Sequence, residues 1–487
     1  MAFDDIYPEG HQGGVCIIMN GHRVATNGDI RLEATPGQWQ PVPKQLDRKL
    51  GDNSITATLC YPDSSRHLTG FNPMIYPDLH LIYTVNVESK GKNIEVTVDL
   101  DRPIPQEFIG KVGFNLEFFP GSLFGKPWIM DGQSGIFPQQ PNSPLMTTQP
   151  NYLHTGNYHD GKKSLADMDK LIGKGYSPIV ADDIISEPYA KGTKFTSRPD
   201  DPYNKVTIES LSGDLQLFDG RMNHNNGWFV LRSNIKPGVT KGAVKWIITP
   251  NVVADWMYQP VIQTSQIGYH PTQDKEAVIE MDIRDNRKET AQIIRIDADG
   301  EKVVKNVTPA NWGKFLRYNY LKVNFTDVKE PGLYKIKYNT SVSPIFRIDN
   351  DVYARGVWQP VLEYFLPVQM CHMRVNEKYR VWHDCCHMDD AQMAPAHNHI
   401  DGYDQKEGLS KFKPGEVVPG VNIGGWHDAG DFDLRIESQA GESYILALAY
   451  EAFHPNLDVT SIDQINRVTE IHQPDGKNDL LQQVENG

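Results

Sequence analysis

The sequence predicts a multidomain β + α protein, with two β-sandwich-type modules followed by a helical segment. Three observations carry this. The first half is written in short alternating strands between Gly, Pro, Asn and Asp turns. A second run of strands recurs at the rhythm of a small sandwich. After Asn350 the apolar spacing changes from two to three and four. The boundaries fall at residues 1–258, 259–348 and 349–487. A chain of 487 residues is too long for one ordinary core.

In the first module, the segment from Leu79 to Asp101 alternates on both sides of a Lys-Gly-Lys-Asn turn and predicts a hairpin. The turn-rich run that starts at Phe137 predicts a long surface excursion. The aromatic group Phe114, Phe118, Phe119, Phe124 and Trp128 admits two readings, a sugar-stacking face or a sandwich core, and burial habits favour the core. The role of this module is unassigned. In the second module, four strand-like runs lie between Lys275 and Asn339. Asp297 to Gly300, "DADG", invites a calcium loop, but the other positions of such a loop fail. A hairpin turn is read there instead, and calcium is assigned to no residue. In the third segment, Val352 to Met373 has helical spacing, with Pro360 and Pro367 at a start or a kink. Arg435 to Phe453 predicts a cleaner amphipathic helix, and Asp475 onward opens another.

Composition excludes several classes of function. Hydrophobic residues make up 39% and charged residues 23%, which suits a globular protein. A net charge of −14 argues against nucleic acid, whose phosphates need a basic face. No apolar run is long enough for a membrane span. The start, "MAFDDIYPEG", lacks the basic and apolar regions of a signal peptide. Five cysteines do not make a disulfide scaffold, yet Cys371, Cys385 and Cys386 cluster with histidines.

The stretch Gly424 to Arg435, "GGWHDAGDFDLR", places Asp428 and Asp431 three residues apart before a helix. The plain reading is a turn that caps the helix, since Asp is a favoured N-cap. In context, the stretch resembles the signature loop of glycoside hydrolase family 9. "TSQIGYHP" and "EPGLYKIKYN" resemble strands of the immunoglobulin-like module carried by one subgroup of that cellulase-like family. The closing "NDLLQQVENG" resembles the next helix of its catalytic domain. The resemblance covers residues 259 to 487.

It implies that 349–487 is the first part of an incomplete (α/α)6 barrel, and that the activity is inverting hydrolysis of a β-1,4-linked glucan or related plant polysaccharide. Asp431 would be the general base, with Asp428 orienting the same water and raising the base's proton affinity. The segment "CHMRVNEKYRVWHDCCH" resembles the subgroup's zinc-binding segment. By that resemblance Cys371, Cys386, His387 and His427 would hold a structural zinc, although Cys385, His372 and His383 compete within the same stretch. The gap from His387 to His427 is longer than the family shows, so Met393 to Gly420 is expected to loop out.

The family's general acid is a glutamate late in the barrel. Glu437 and Glu442 read as a solvated face, so the acid is expected beyond residue 487, and a C-terminal fragment completing the barrel is an expected partner. A polymeric substrate implies a secreted, periplasmic or cell-surface location. Two rival readings remain. One is a carbohydrate-binding or scaffold protein with an inactive, truncated helical part. The other is an exo-acting β-glycosidase on short oligosaccharides.

Overall fold

The computed structural model describes residues 14–32, 43–61, 81–142, 145–146, 185–222, 227–389, 391–393, 410–428 and 434–487. Most of the turn-rich run after Phe137 and the middle of the Met393–Gly420 segment lie outside the described residues, as does Asp431. The chain divides into two compact units, one ending at Trp256 and one beginning at Met257.

Beside a two-stranded sheet of Leu145–Met146 and Ile185–Ser186, the described residues of the first unit build two large antiparallel sheets. One has six strands, in the order Val15–Met19, His22–Leu32, Val112–Phe118, Phe229–Asn234, Leu215–Asp219 and Ala190–Gly192. The other has nine, running from Lys44–Leu50 through Leu81–Lys90, Asn93–Leu100 and Val244–Pro250 to Gln133–Ile136. The expected hairpin is present, with Leu81–Lys90 paired to Asn93–Leu100. Alternation explains the packing: Val85, Val96 and Val98 from one sheet share a core with Phe114, Leu116 and Leu231 from the other. Trp246 is fully buried there, edge-on to Phe114 at 5.0 Å, and its indole N–H donates to Ser233 Oγ at 3.0 Å. Phe114, Phe118 and Trp128 are therefore core side chains, not a sugar-stacking face.

In the second unit, residues 261–348 form a two-sheet sandwich. One sheet orders Val261–Gln263, Glu276–Asp282, Tyr318–Asn324 and Ala310–Phe315; the other is built on Ala291–Asp297 between Gly300–Val307 and Gly332–Tyr338. Ile279, Val323, Ile293, Ile336 and Phe346 fill the space between them. Asp297 pairs with Gly300 at a hairpin turn, as the turn chemistry required.

Beyond Asn350 the unit is less uniformly helical than the spacing predicts. The helix expected from Val352 begins only at Gln359, and continues as Val361–Phe365 with wide turns and Leu366–Gln369 with ordinary ones. Pro360 fits a helix start, and the ring of Pro367 disturbs the ladder within the segment. A four-stranded sheet, in the order Arg380–His383, Arg374–Glu377, Val468–Ile471 and Thr460–Asp463, was not anticipated. Its strands are four residues each, too short to impose a readable period. The long helix runs from Ile436 to Phe453 and buries none of its residues, leaving Tyr444, Ile445, Leu448 and Phe453 exposed. The last helix is Asp479–Asn486, where the Asn478 side chain accepts from the backbone N–H groups of Leu480 and Leu481. No described helix is long and apolar enough to cross a membrane.

Replacing Trp246 by Ala empties the largest side chain from the first core and should cost about 3–5 kcal/mol. Urea unfolding, followed through the first unit's transition, checks this. A loss below about 1 kcal/mol would show that the two sheets do not share that core.

Candidate functional site

The Gly424–Asp428 loop is held by main-chain contacts to three separate elements. Trp426 pairs with Met370, the Cys371 N–H donates to Gly425 O at 2.9 Å, and the His427 N–H donates to Gln369 O at 2.8 Å. From the last helix, Asn486 O accepts from the Gly425 N–H at 2.9 Å, and Gln483 Oε1 accepts from the buried Trp426 indole at 2.8 Å. From the long helix, Gln439 Nε2 donates to Trp426 O at 3.0 Å. Gly424 and Gly425 have φ of 71° and 83°, and a Cβ on Gly424 would stand 2.2 Å from Asn486 O. Only glycine combines the left-handed backbone with that approach.

This clamp fixes His427, and the turns on either side of the Arg374–His383 hairpin supply its companions. One ligand atom from each of Cys371, Cys386, His387 and His427 lies within 4.8 Å of the other three. The closest pairs are Cys371 Sγ to Cys386 Sγ at 3.6 Å, Cys371 Sγ to His387 Nδ1 at 3.0 Å, and Cys386 Sγ to His427 Nε2 at 3.1 Å. In tetrahedral zinc, ligand atoms stand roughly 3.3–3.8 Å apart, given bonds of about 2.3 Å to sulfur and 2.0–2.1 Å to nitrogen. The sulfur pair falls in this range, and the two shorter pairs would open slightly around an ion. Neither cysteine is in a disulfide. Cys371 and His427 are buried, and His387 holds a left-handed backbone at φ 53°, a strained state that persists where the surroundings fix it.

The competing ligands are turned elsewhere. The ring nitrogens of His372 face Gly424 O and His387 O at 2.9 and 3.1 Å. Those of His383 face Asp384 O and Val368 O, both at 3.0 Å. Cys385 is exposed, with its sulfur 3.9 Å from Arg467 O. Burial, followed by the nearby His383, His387 and His372 rings, lowers the pKa of His427 to about 4. Its imidazole is therefore neutral near pH 7, the state a metal ligand needs. Among the described residues this is the one gathered group of metal-type ligands.

Asp428 is exposed, and its Oδ2 lies 3.3 Å from Arg435 Nε. It does not cap the long helix, which begins after Arg435 with no side-chain cap. Glu437 and Glu442 are exposed, as a solvated face requires. The clamping residues Gln369, Gln439, Gln483 and Asn486 were missed by sequence reasoning. Only the i, i+3 spacing of Gln483 and Asn486 on one helical face could have suggested two of them.

Asp479 anchors the same last helix. Its buried carboxylate accepts from the backbone N–H groups of Val459 and Thr460 at 2.9 and 3.3 Å. Burial raises its pKa to about 6, against the lowering effect of those two bonds; Asp458 and Asp475 push it the same way as burial.

A family model described as the cellulase N-terminal Ig-like domain matches residues 257–343. Among solved structures, the chain is similar to a Zn-binding triple mutant of GH family 9 endoglucanase J30, at 22% identity and TM-score 0.32, covering 45% of this chain and 37% of that one. A Bacteroides ovatus GH9 structure matches at 20% identity and TM-score 0.33, covering 47% and 38%. Endoglucanase J30 itself matches at 22% and 0.31, covering 45% and 37%. TM-scores of this size carry no argument, and this chain spans under two fifths of those structures. No curated protein matches. The resemblance to an immunoglobulin-like module of cellulases is borne out over residues 257–343.

Two outcomes follow. Gly424→Ala should destabilise the second unit by about 1–3 kcal/mol, whereas Gly441→Ala, which meets open space within the long helix, should be neutral or stabilise by about 0.5–1 kcal/mol. Denaturant titration of both variants checks this, and equal effects would contradict the clamp. For Asp479, a folded pKa above the unfolded value means its contribution is fully present below about pH 3.8 and lost as pH rises through about 6. Asp479→Asn should flatten the fall in stability between those values, as measured by unfolding at a series of pH. An unchanged slope would contradict it.

Proposed function

We propose that this chain is the front portion of a family-9-type glycoside hydrolase acting on a β-1,4-linked glucan or related plant polysaccharide. The observation that carries the reading is the gathering of Cys371, Cys386, His387 and His427 behind the loop that presents Asp428. Two thiolates and two imidazoles suit a closed, structural zinc, whose chemistry would be to cross-link the loop to the preceding strands. The organisation proposed is 1–258, 259–348 and 349–487, the last as the beginning of an (α/α)6 barrel. The uncovered apolar side of the long helix supports further helices packing against it.

In this reading Asp431 takes a proton from the attacking water. Asp428 orients that water, and its negative charge makes Asp431 a better base. Arg435 beside Asp428 tempers that charge. Inversion also needs a carboxylic acid on the opposite side of the bond, leaving room for the water between the two groups. The reading assigns that acid to no residue of 349–487. A polymeric substrate places the enzyme outside the cytoplasm, in the secreted, periplasmic or cell-surface compartment.

Reducing-sugar release from soluble β-1,4-glucan, mixed-linkage glucan and xyloglucan tests the proposal. A parent polypeptide that carries this chain together with the rest of the barrel should release sugar, and Asp431→Asn within it should lower the rate by about 10²-fold or more. No release by the parent on any of the three, or undiminished release by the variant, would contradict it.

A further inference from the structure

The outer face of one sheet in the 261–348 sandwich carries a group of aromatic rings that packing does not require. Tyr318 and Tyr320 alternate with the inward Asn319 and Leu321 on one strand, and Phe315 lies opposite Tyr318 on the next. Register breaks between Asn311 and Gly313, where Gly313 has φ 126°, so Trp312 sits in a bulge. Bulges re-aim side chains, and this one sets the indole against Tyr320 at 5.7 Å. Trp312 and Phe315 remain 55% and 57% exposed. Tyr258 completes the group, 5.1 Å from Tyr318.

The rings are fixed by a polar clamp. Glu280, directly opposite Tyr320 across the sheet, accepts the Tyr258 hydroxyl on Oε1 at 2.9 Å and the Tyr320 hydroxyl on Oε2 at 3.1 Å. Beside it Lys322 and Glu276 neutralise one another at 2.7 Å. Pre-ordered rings interleaved with a carboxylate and two hydroxyls match a sugar, which offers flat C–H faces and a rim of O–H donors. On this face Lys322 is neutralised by Glu276 while the Glu280 carboxylate stands among the rings, which favours a neutral polymer over an acidic one.

We infer that this face is a carbohydrate-binding surface for a neutral β-linked glucan, separate from the Asp428 loop. The choice of polymer rests on the function proposed above; the platform itself does not. The polymer would lie across Trp312 and Tyr320, and Glu280 would accept from its hydroxyls.

Isothermal titration of the full chain with cellohexaose and soluble mixed-linkage β-glucan tests this, using the parent, Trp312→Ala and Asp431→Asn. Parent and Asp431→Asn should bind alike, and Trp312→Ala should weaken binding about tenfold or more at an unchanged Tm. Phe315→Ala, also at an exposed position, should weaken it in the same direction. Absent binding by the parent, or equal affinity in Trp312→Ala, overturns the inference. So does a Trp312→Ala variant that shifts from dimer to monomer in sedimentation at unchanged sugar affinity, which would give the face to a second copy. Sugar release without Trp312-dependent binding would sink this inference and leave the hydrolase standing. Binding without release would do the reverse.

Discussion

The second unit depends on a close approach of main chains. The Gly424–His427 stretch comes within hydrogen-bonding distance of Gln369, Cys371 and Asn486 at once, through two residues of left-handed backbone. The loop thus knots together the helix that ends at Gln369, the turn that follows it at Cys371, and the last helix. The consequence is chemical. With Trp426 locked by Gln483 and Met370, His427 Nε2 stands 3.1 Å from Cys386 Sγ. The metal-type cluster is thus an outcome of the clamp, and an ion bound there would reinforce the geometry that created it.

The same logic separates the four ligands from their rivals. Cys385 and Cys386 are adjacent in the turn after His383, which leaves the first sulfur exposed and sets the second 3.1 Å from His427 Nε2. His372 and His383 are within reach of the site, but their ring nitrogens face carbonyl oxygens, to one of which a neutral ring can donate. These histidines tie neighbouring turns together around the cluster. Asp428 follows His427 directly, so its position is fixed by the same contacts while its carboxylate stays exposed.

Much of this was legible in the sequence where a local rule governed the outcome. Alternation marked the Leu81–Leu100 hairpin and the strands of the second sandwich, and the helix Ile436–Phe453 began within one residue of its expected start. The set Cys371, Cys386, His387 and His427 came from the family resemblance, and its resolution from Cys385, His372 and His383 was not legible, because backbone turns decided it. The four-stranded sheet beyond Asn350 escaped because four-residue strands carry no usable period, and the parallel pairing of Arg374–Glu377 with Val468–Ile471 joins segments far apart in the chain. The aromatic face escaped for a related reason. Trp312 reaches Tyr320 only through a bulge, and a bulge breaks the alternation by which a shared face is recognised.

The central claim is that the loop bearing Asp428 is pinned by a four-ligand metal. X-ray absorption at the zinc edge on the purified full chain tests it most directly. The account predicts about one zinc per chain, with two sulfur neighbours at about 2.3 Å and two nitrogen neighbours at about 2.0–2.1 Å. A metal-free chain, or a first shell of oxygen and nitrogen without sulfur, would contradict it.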